Sequence, residues 1–229
     1  MCDILFLPIS IGEAIDKLTI LDIKLQKISD SRKNSVQIEY NMLYEQLKNI
    51  IIEYNLYYNM MKQINLDIWD MMDILRDSNI DNQQYLIKCK ECIEANDIRF
   101  RIKNKINYVS RSILKEQKGY NVLTYIFNMS ELKVDEITKE ITNIIKYYSF
   151  LYDEIIIITN KDNNQTIKSI FVYDSTIKIH PKESNNEESN NEESNNDRRY
   201  NFINKEIEEI YKELNITTEI KNRYFINFE

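Results

Sequence analysis

Apolar residues Ile11, Ala14, Leu18, Leu21, Leu25 and Ile28 recur three and four positions apart, the spacing of one face of an α-helix. Pro8 and Ser10 precede this run, and Ser10 with Glu13 forms S-x-x-E, the spacing of a capping box. A first helix is therefore expected over residues 11–29. The same alternation then continues through Val36, Tyr40, Leu43, Leu47, Ile50, Tyr54, Tyr57, Met61, Ile64, Ile68, Met71 and Leu75. No glycine or proline interrupts it, so the pattern predicts one rod of about forty residues, roughly 60 Å long, with room for a bend near residues 65–67. Ile38, Met42, Ile51, Ile52, Tyr58 and Met60 widen the apolar stripe, which predicts two helical neighbours for this rod. A third helical stretch, residues 82–113, is more polar and carries Ile93, Ile98, Ile102, Ile106 and Val109 as its apolar line.

Gly119 is read as closing the helical unit, and the periodicity changes after it. Residues 122–127 read as a strand, 134–148 as an amphipathic helix, 154–159 as a buried aliphatic strand and 169–172 as a further strand, a βαβ unit with a right-handed crossover. From 183 to 197 the chain repeats Ser-Asn-Asn-Glu-Glu with no apolar residue to bury, which predicts disorder. Residues 202–214 return to helical spacing, and 224–228 read as a last strand. The expected fold is mainly α: an N-terminal antiparallel long-helix bundle (1–118), a small α/β (βαβ) region (119–181), a low-complexity insertion (182–199), and a helix and strand completing the α/β region (200–229).

Composition sharpens this picture. Two glycines and two prolines in 229 residues leave few helix breaks, and 43% apolar residues suffice for a core. A net charge of −7 argues against a general nucleic-acid binder, which needs a surplus of Lys and Arg to displace counterions. Charge is unevenly spread: residues 30–81 carry nine acids and five bases, whereas 88–118 carry nine bases and four acids. The longest aliphatic run, 155–158, is far short of the roughly 20 residues that cross a bilayer, so no membrane is expected. Three cysteines without a leader segment point to a reducing, intracellular compartment. The abundance of Asn, Ile, Lys and Tyr suggests an AT-rich genome.

Candidate chemistry is thin. Cys89 and Cys92 have C-x-x-C spacing, but zinc takes four ligands and the chain holds no second pair, so no metal site is expected. His180, the sole histidine, adjoins Pro181 and the low-complexity tract, a poor place to hold a base. With only Gly12 and Gly119, no glycine-rich phosphate loop can be built, and no cofactor is expected. Asp67, Asp70, Asp73, Asp77 and Asp81 form an acidic stripe, with Arg99, Arg101, Lys103 and Lys105 as candidate partners. A second group is more specific. Glu13, Asp16, Lys17 and Lys24 on the first helix, and Asn96, Asp97, Arg99, Lys103 and Asn107 on the third stretch, each make a polar line. If the lines meet, they form either a buried ion-pair network or a cleft for an anionic ligand, and the network is the preferred reading.

PISIGEAIDKLTILDIK, NLDIWDMMDILRD, ANDIRFRIKNKIN and ILKEQKGY, in this order over residues 8–120, resemble the motifs of a family of uncharacterised bacterial and viral proteins, a domain of unknown function. The resemblance implies that Asp16, Lys17, Lys24, Trp69, Asn96, Asp97, Arg99, Lys103, Asn107, Glu116 and Lys118 occupy motif positions. The family's acidic pair before Lys118 is Glu-Glu, and here it is Glu116-Gln117. More faintly, YDEIIIIT (152–159) with IFVYD (170–174) and IKI (177–179) is similar to the first half of a Rossmann-like sugar-transferase domain. Two functions follow as expectations. One is a non-catalytic helical interaction module with a degenerate α/β appendage, binding a protein partner or itself through the helical seam. The other is an enzyme or accessory factor of glycosyl or phosphoryl transfer, binding an anion between the first helix and the third stretch.

Overall fold

The computed structural model describes residues 7–77, 79–119, 122–130, 132–137, 139–172, 174–182 and 202–203. The chain divides into two compact units at Lys118–Gly119. The first unit is helical: α1 (Ile11–Lys27), α2 (Arg32–Glu53), α3 (Asn55–Leu75) and α4 (Asn82–Val109). α1 is the central element, packed against all three of the others. Ile15, Leu18, Leu21 and Ile23 of α1 are buried, as are Met60, Met61 and Ile64 of α3 and Ile98, Ile102 and Ile106 of α4.

The single rod expected over residues 36–75 does not form. The chain breaks at Tyr54, where φ is −115° and ψ is 38°, and α3 begins at the next residue. Side chains show how sharp the break is. Tyr40 of α2 hydrogen-bonds Tyr58 of α3, and Tyr58 in turn donates to Asp22 of α1 at 3.2 Å. Eighteen residues of straight helix would hold the two tyrosines about 27 Å apart along the axis. The physical reason lies in α1, whose 17 residues span about 25 Å and cannot cover a rod of roughly 60 Å. A three-four apolar pattern also drifts about 20° per heptad around a straight helix. Breaking the rod lets both halves reach α1. Tyr54 anchors the break by donating its hydroxyl to the Val109 carbonyl at 3.1 Å, in the last turn of α4. Burial and the Asp22 carboxylate push the Tyr58 phenol well above its ordinary value, while Lys62 pairs with Asp22 at 2.6 Å.

The acidic stripe is satisfied differently from the expectation. Asp70 pairs with Lys27 of α1 at 2.8 Å, Asp73 with Arg76 at 3.4 Å, and Asp81 caps α4 by accepting from the amides of Gln83 and Gln84. Asp77 accepts from Asn79 within the connecting turn.

The last helix of the unit stops short of the boundary at Gly119. α4 ends at Val109 in a Schellman reversal: the Arg111 amide donates to Tyr108 at 3.1 Å and the Ser112 amide to Asn107 at 2.8 Å. Arg111 takes the left-handed conformation at φ 54°, the position where glycine is usual. The reversal sends residues 112–118 back along α4.

The second unit holds β1 (Thr124–Met129), a 3-10 turn (Val134–Glu136), α5 (Lys139–Leu151), β2 (Glu154–Thr159), α6 (Asn164–Ile170), β3 (Ile177–Pro181) and β4 (Phe202–Ile203). Its strands are parallel in the order β3-β2-β1-β4, the order in which a doubly wound sheet begins. Ile141 and Ile145 of α5, Ile155 and Ile157 of β2, and Ile167 of α6 share one core with Tyr125, Met129, Phe171 and Ile177. The expected strand at 169–172 is instead the end of α6, because Ile167, Ile170 and Phe171 turn onto the sheet at helical spacing. The strand comes later, at β3, and its Pro181 lies at the strand end on the sheet edge, where no ladder bond is lost. At the start of the helix expected over 202–214, Phe202 and Ile203 form β4, pairing with Ile126 and Phe127, and residues 204–214 lie outside the described residues. The low-complexity tract from 183 and the strand expected at 224–228 lie outside the described residues. No helix among those described is long and apolar enough to cross a membrane.

The left-handed Arg111 yields a stability test. R111G should leave stability unchanged or raise it by up to about 1 kcal/mol, because the Cβ clash at positive φ disappears, whereas R111V should cost about 1–2 kcal/mol. Urea midpoints of the two variants against wild type measure both effects.

Candidate functional site

The N-terminus of α1 crosses the C-terminal half of α4 at Gly12. A Cβ there would stand 2.5 Å from the Lys103 carbonyl oxygen and 2.9 Å from Asn107 Oδ1, so only glycine lets the two backbones come this close. The crossing also consumes the free amides of the first turn, which would otherwise be an anion-binding end. Ile11 N donates to Ser112 Oγ at 3.3 Å, Gly12 N to Asn107 Oδ1 at 2.7 Å, and Glu13 N to Ser10 Oγ at 3.1 Å. Ser10 therefore supplies half of the expected capping box. The other half is missing, because the Glu13 carboxylate is drawn away to Lys103.

One turn before Asn107 along α4, Lys103 points into a cage of three acids from two segments. Its Nζ lies 3.0 Å from Glu13 and 3.9 Å from Asp16, both on α1, and is paired with Glu116 of the returning segment. The side chain is only 7% exposed. Burial works to lower the lysine pKa, but the hydrogen bonds from Glu116 and Glu13 and the charge of Asp16 outweigh it, and the net shift is upward. Asp16 is held from the other side by α3: Asn65 Nδ2 donates to Asp16 Oδ1 at 2.7 Å and to Thr19 Oγ1 at 2.9 Å. Burial raises the Asp16 pKa, and the hydrogen bond from Asn65 and the charges of Arg99 and Lys103 only partly offset it.

Beside this cage, Lys118 pairs with Asp97 at 2.8 Å and lies 4.6 Å above the Phe100 ring, pinning the end of the returning segment to α4. The candidate residues thus separate. Glu13, Asp16, Lys103 and Glu116 form the cage; Asn107 holds Gly12; Arg99 acts on Asp16 by charge; and Asp97 with Lys118 makes a flanking pair. Lys17 turns away to Glu39 of α2 at 2.7 Å, and Lys24, two turns further along α1, forms no ion pair among the described residues. Asn96 is half-buried on α4 and joins none of these contacts.

A family model, Family of unknown function (DUF6165), matches residues 5–131. The chain belongs to that family. The DUF6165 match takes in every member of the cage and runs on through β1. No curated protein and no solved structure matches the chain.

Sequence reasoning missed Gly12, Asn65, Thr19 and Ser112 within the DUF6165 stretch. A glycine inside the first turn of a capped helix was the available signal for a close crossing. Asn65 stood in the segment where a bend was allowed, but its role is to hold Asp16 from a continuous helix. Ser112 had no signal, because its role depends on the Schellman reversal.

Chemically, the cage commits its charges to one another. Three carboxylates surround one ammonium, and the α1 amides that could hold an anion already have protein acceptors. Among the described residues no group of three or more His, Cys, Asp or Glu is placed to hold a metal. An open depression of about 420 Å³ lies elsewhere, at the turn between α3 and α4, lined by Asp73, Ile74, Asp77, Asn79, Ile80 and Gln84.

Two outcomes test the cage. K103M leaves the buried Asp16 without its countercharge and should cost roughly 3–5 kcal/mol by urea unfolding, part of which a D16N/K103M double variant recovers. The pH dependence has a definite sign. Asp16 binds its proton more tightly when folded, so wild type should gain stability relative to D16N as pH falls from neutral through the raised value, with no further gain below the ordinary 3.8. Lys103 has the same sign in an alkaline window: its contribution is whole below about 10.5 and is lost as pH rises through its raised folded value. Urea midpoints across pH for wild type and D16N measure both limbs.

Proposed function

We propose that the helical unit is a non-catalytic interaction module that binds another protein chain, a second copy of itself being the simplest partner. The carrying observation is the imbalance of α2. Leu47 is the sole buried residue of its 22, yet Ile38 and Ile52 on its outer face are 64% and 76% exposed and Met42 stands between them at 45%. An apolar line of this kind, on the side of α2 opposite buried Leu47, fits an association surface. The cage supports the same reading from the other direction. Lys103 and Asp16, the groups best placed for chemistry, are both buried and face each other, which suits a register-fixing network.

A second reading, glycosyl or phosphoryl transfer with an anion held between α1 and α4, draws on one specific observation. Asn107 is fully buried, and its Nδ2 has no hydrogen-bond partner. A buried donor next to Lys103 is the kind of group a ligand oxygen would satisfy.

Two measurements on the purified full chain separate the readings. Light scattering should show a mass above 27.6 kDa that grows with concentration. A thermal-shift panel of nucleotides and sugar nucleotides should show no response; a ligand at a hundred times its dissociation constant would add about 2.7 kcal/mol, and such a shift, abolished by N107A, would favour the transferase reading.

A further inference from the structure

The segment that follows α4 carries its polarity inside out. Ile113 is 97% exposed and Leu114 44%, while Glu116 and Lys118 turn inward to ion-pair partners. The turn that sends the segment back rests on Arg111 at φ 54°, a left-handed position taken without glycine. The residues themselves favour another course. Ile102, Ile106, Val109 and Ile113 are spaced four, three and four apart, so the apolar line of α4 runs on past the reversal. No glycine or proline lies between Asn82 and Lys118 to stop the helix. Local preference is thus for a straight continuation, and tertiary contact holds the chain folded back.

That contact is narrow and made by few groups. Ser112 fixes the near end, its amide donating to the Asn107 carbonyl at 2.8 Å and its hydroxyl accepting from the Ile11 amide at 3.3 Å. Glu116 pairs with Lys103, and Lys118 pairs with Asp97 at 2.8 Å while lying over the Phe100 ring. The segment therefore runs antiparallel to α4 along Asn107, Lys103, Phe100 and Asp97. Among the described residues no backbone hydrogen bond ties residues 113–117 to α4. A carboxylate and an ammonium two residues apart are what this groove selects, and the same segment of another copy carries both.

We propose that two copies of the chain exchange this segment about a two-fold axis, with Ser110 and Arg111 as the hinge. In each copy Arg111 passes to the right-handed conformation, α4 runs straight on, and residues 112–118 lie in the groove of the other copy. Glu116 then meets the partner's Lys103, and Lys118 the partner's Asp97. These contacts repeat those made within one chain, so the groove itself specifies its occupant, and exchange releases the strain at Arg111 twice per dimer. The two hinges cross at the axis, which brings the exposed Ile113 of each copy against the other. Association costs freedom that the lone chain keeps, so the dimer gathers with concentration. This rests on the self-association reading above and reaches it by a route independent of the α2 face.

The test is a mixing experiment on the full chain. D97K and K118D each set like charges together, both in a lone chain and in their own exchanged dimer. Unfolded together in urea and refolded in equal amounts, they should form a one-to-one heterodimer, because each exchanged segment then meets an opposite charge. A tag on one variant and light scattering read the mixed species. Variants at the hinge move the wild-type equilibrium in opposite directions. R111G removes the strain and should weaken the dimer about a hundredfold, roughly tenfold per hinge, whereas R111V strains the turn further and should strengthen it. Circular dichroism checks that each variant is folded. Random pairing of D97K with K118D, or a dimer equally strong in R111G and R111V, overturns the exchange and leaves self-association standing through another face. Wild type and R111V that stay monomeric at every concentration overturn both.

Discussion

The close approach of α1 to α4 at Gly12 is the constraint on which the helical unit depends. With the Lys103 carbonyl 2.5 Å from where a Cβ would stand, the two helices meet backbone to backbone. That distance decides what happens one turn away, because it brings Glu13 and Asp16 over Lys103 and lets a charged side chain be buried with its partners. A larger residue at position 12 would separate the helices and strand a carboxylate and an ammonium in low dielectric, where an unpaired charge is costly.

The returning segment is the second half of the same arrangement. It exists because α4 ends in a reversal and not in an extended exit, and it contributes Ser112 to the α1 terminus, Glu116 to the cage and Lys118 to Asp97. Arg111 holds the left-handed turn without the ease glycine would give, so the contacts beyond it must stabilise the conformation. Local strain and tertiary pairing are thereby coupled within eight residues.

The broken rod shows how tertiary demand overrides a local pattern. Nothing in the residues around Tyr54 is a helix breaker, and the apolar spacing passes through it without a gap. The break follows from the length of α1 and from the gain of placing both Leu47 and Met61 in buried surroundings. One consequence is the outer face of α2, whose Ile38, Met42 and Ile52 were read as contacts to a second neighbour within the chain and stand instead on the surface. In the α/β unit the error ran the other way. Ile170 and Val172 look like a strand, but Ile167 and Phe171 at helical spacing are what the sheet needs covered.

The sequence by itself determined that the chain is mainly helical with a small parallel sheet, since periodicity of apolar residues encodes which surface each element must bury. It also placed Glu13, Asp16 and Lys103 on the polar lines of two helices, whereas Glu116 was singled out only by the family resemblance. Only the tertiary structure decided where the long apolar run breaks, that Glu13 leaves its cap for Lys103, and that Lys17 and Lys24 stand apart. Those outcomes depend on the length of a neighbouring helix and on a backbone crossing at Gly12. Both are relations between segments distant in sequence, which a local pattern does not contain.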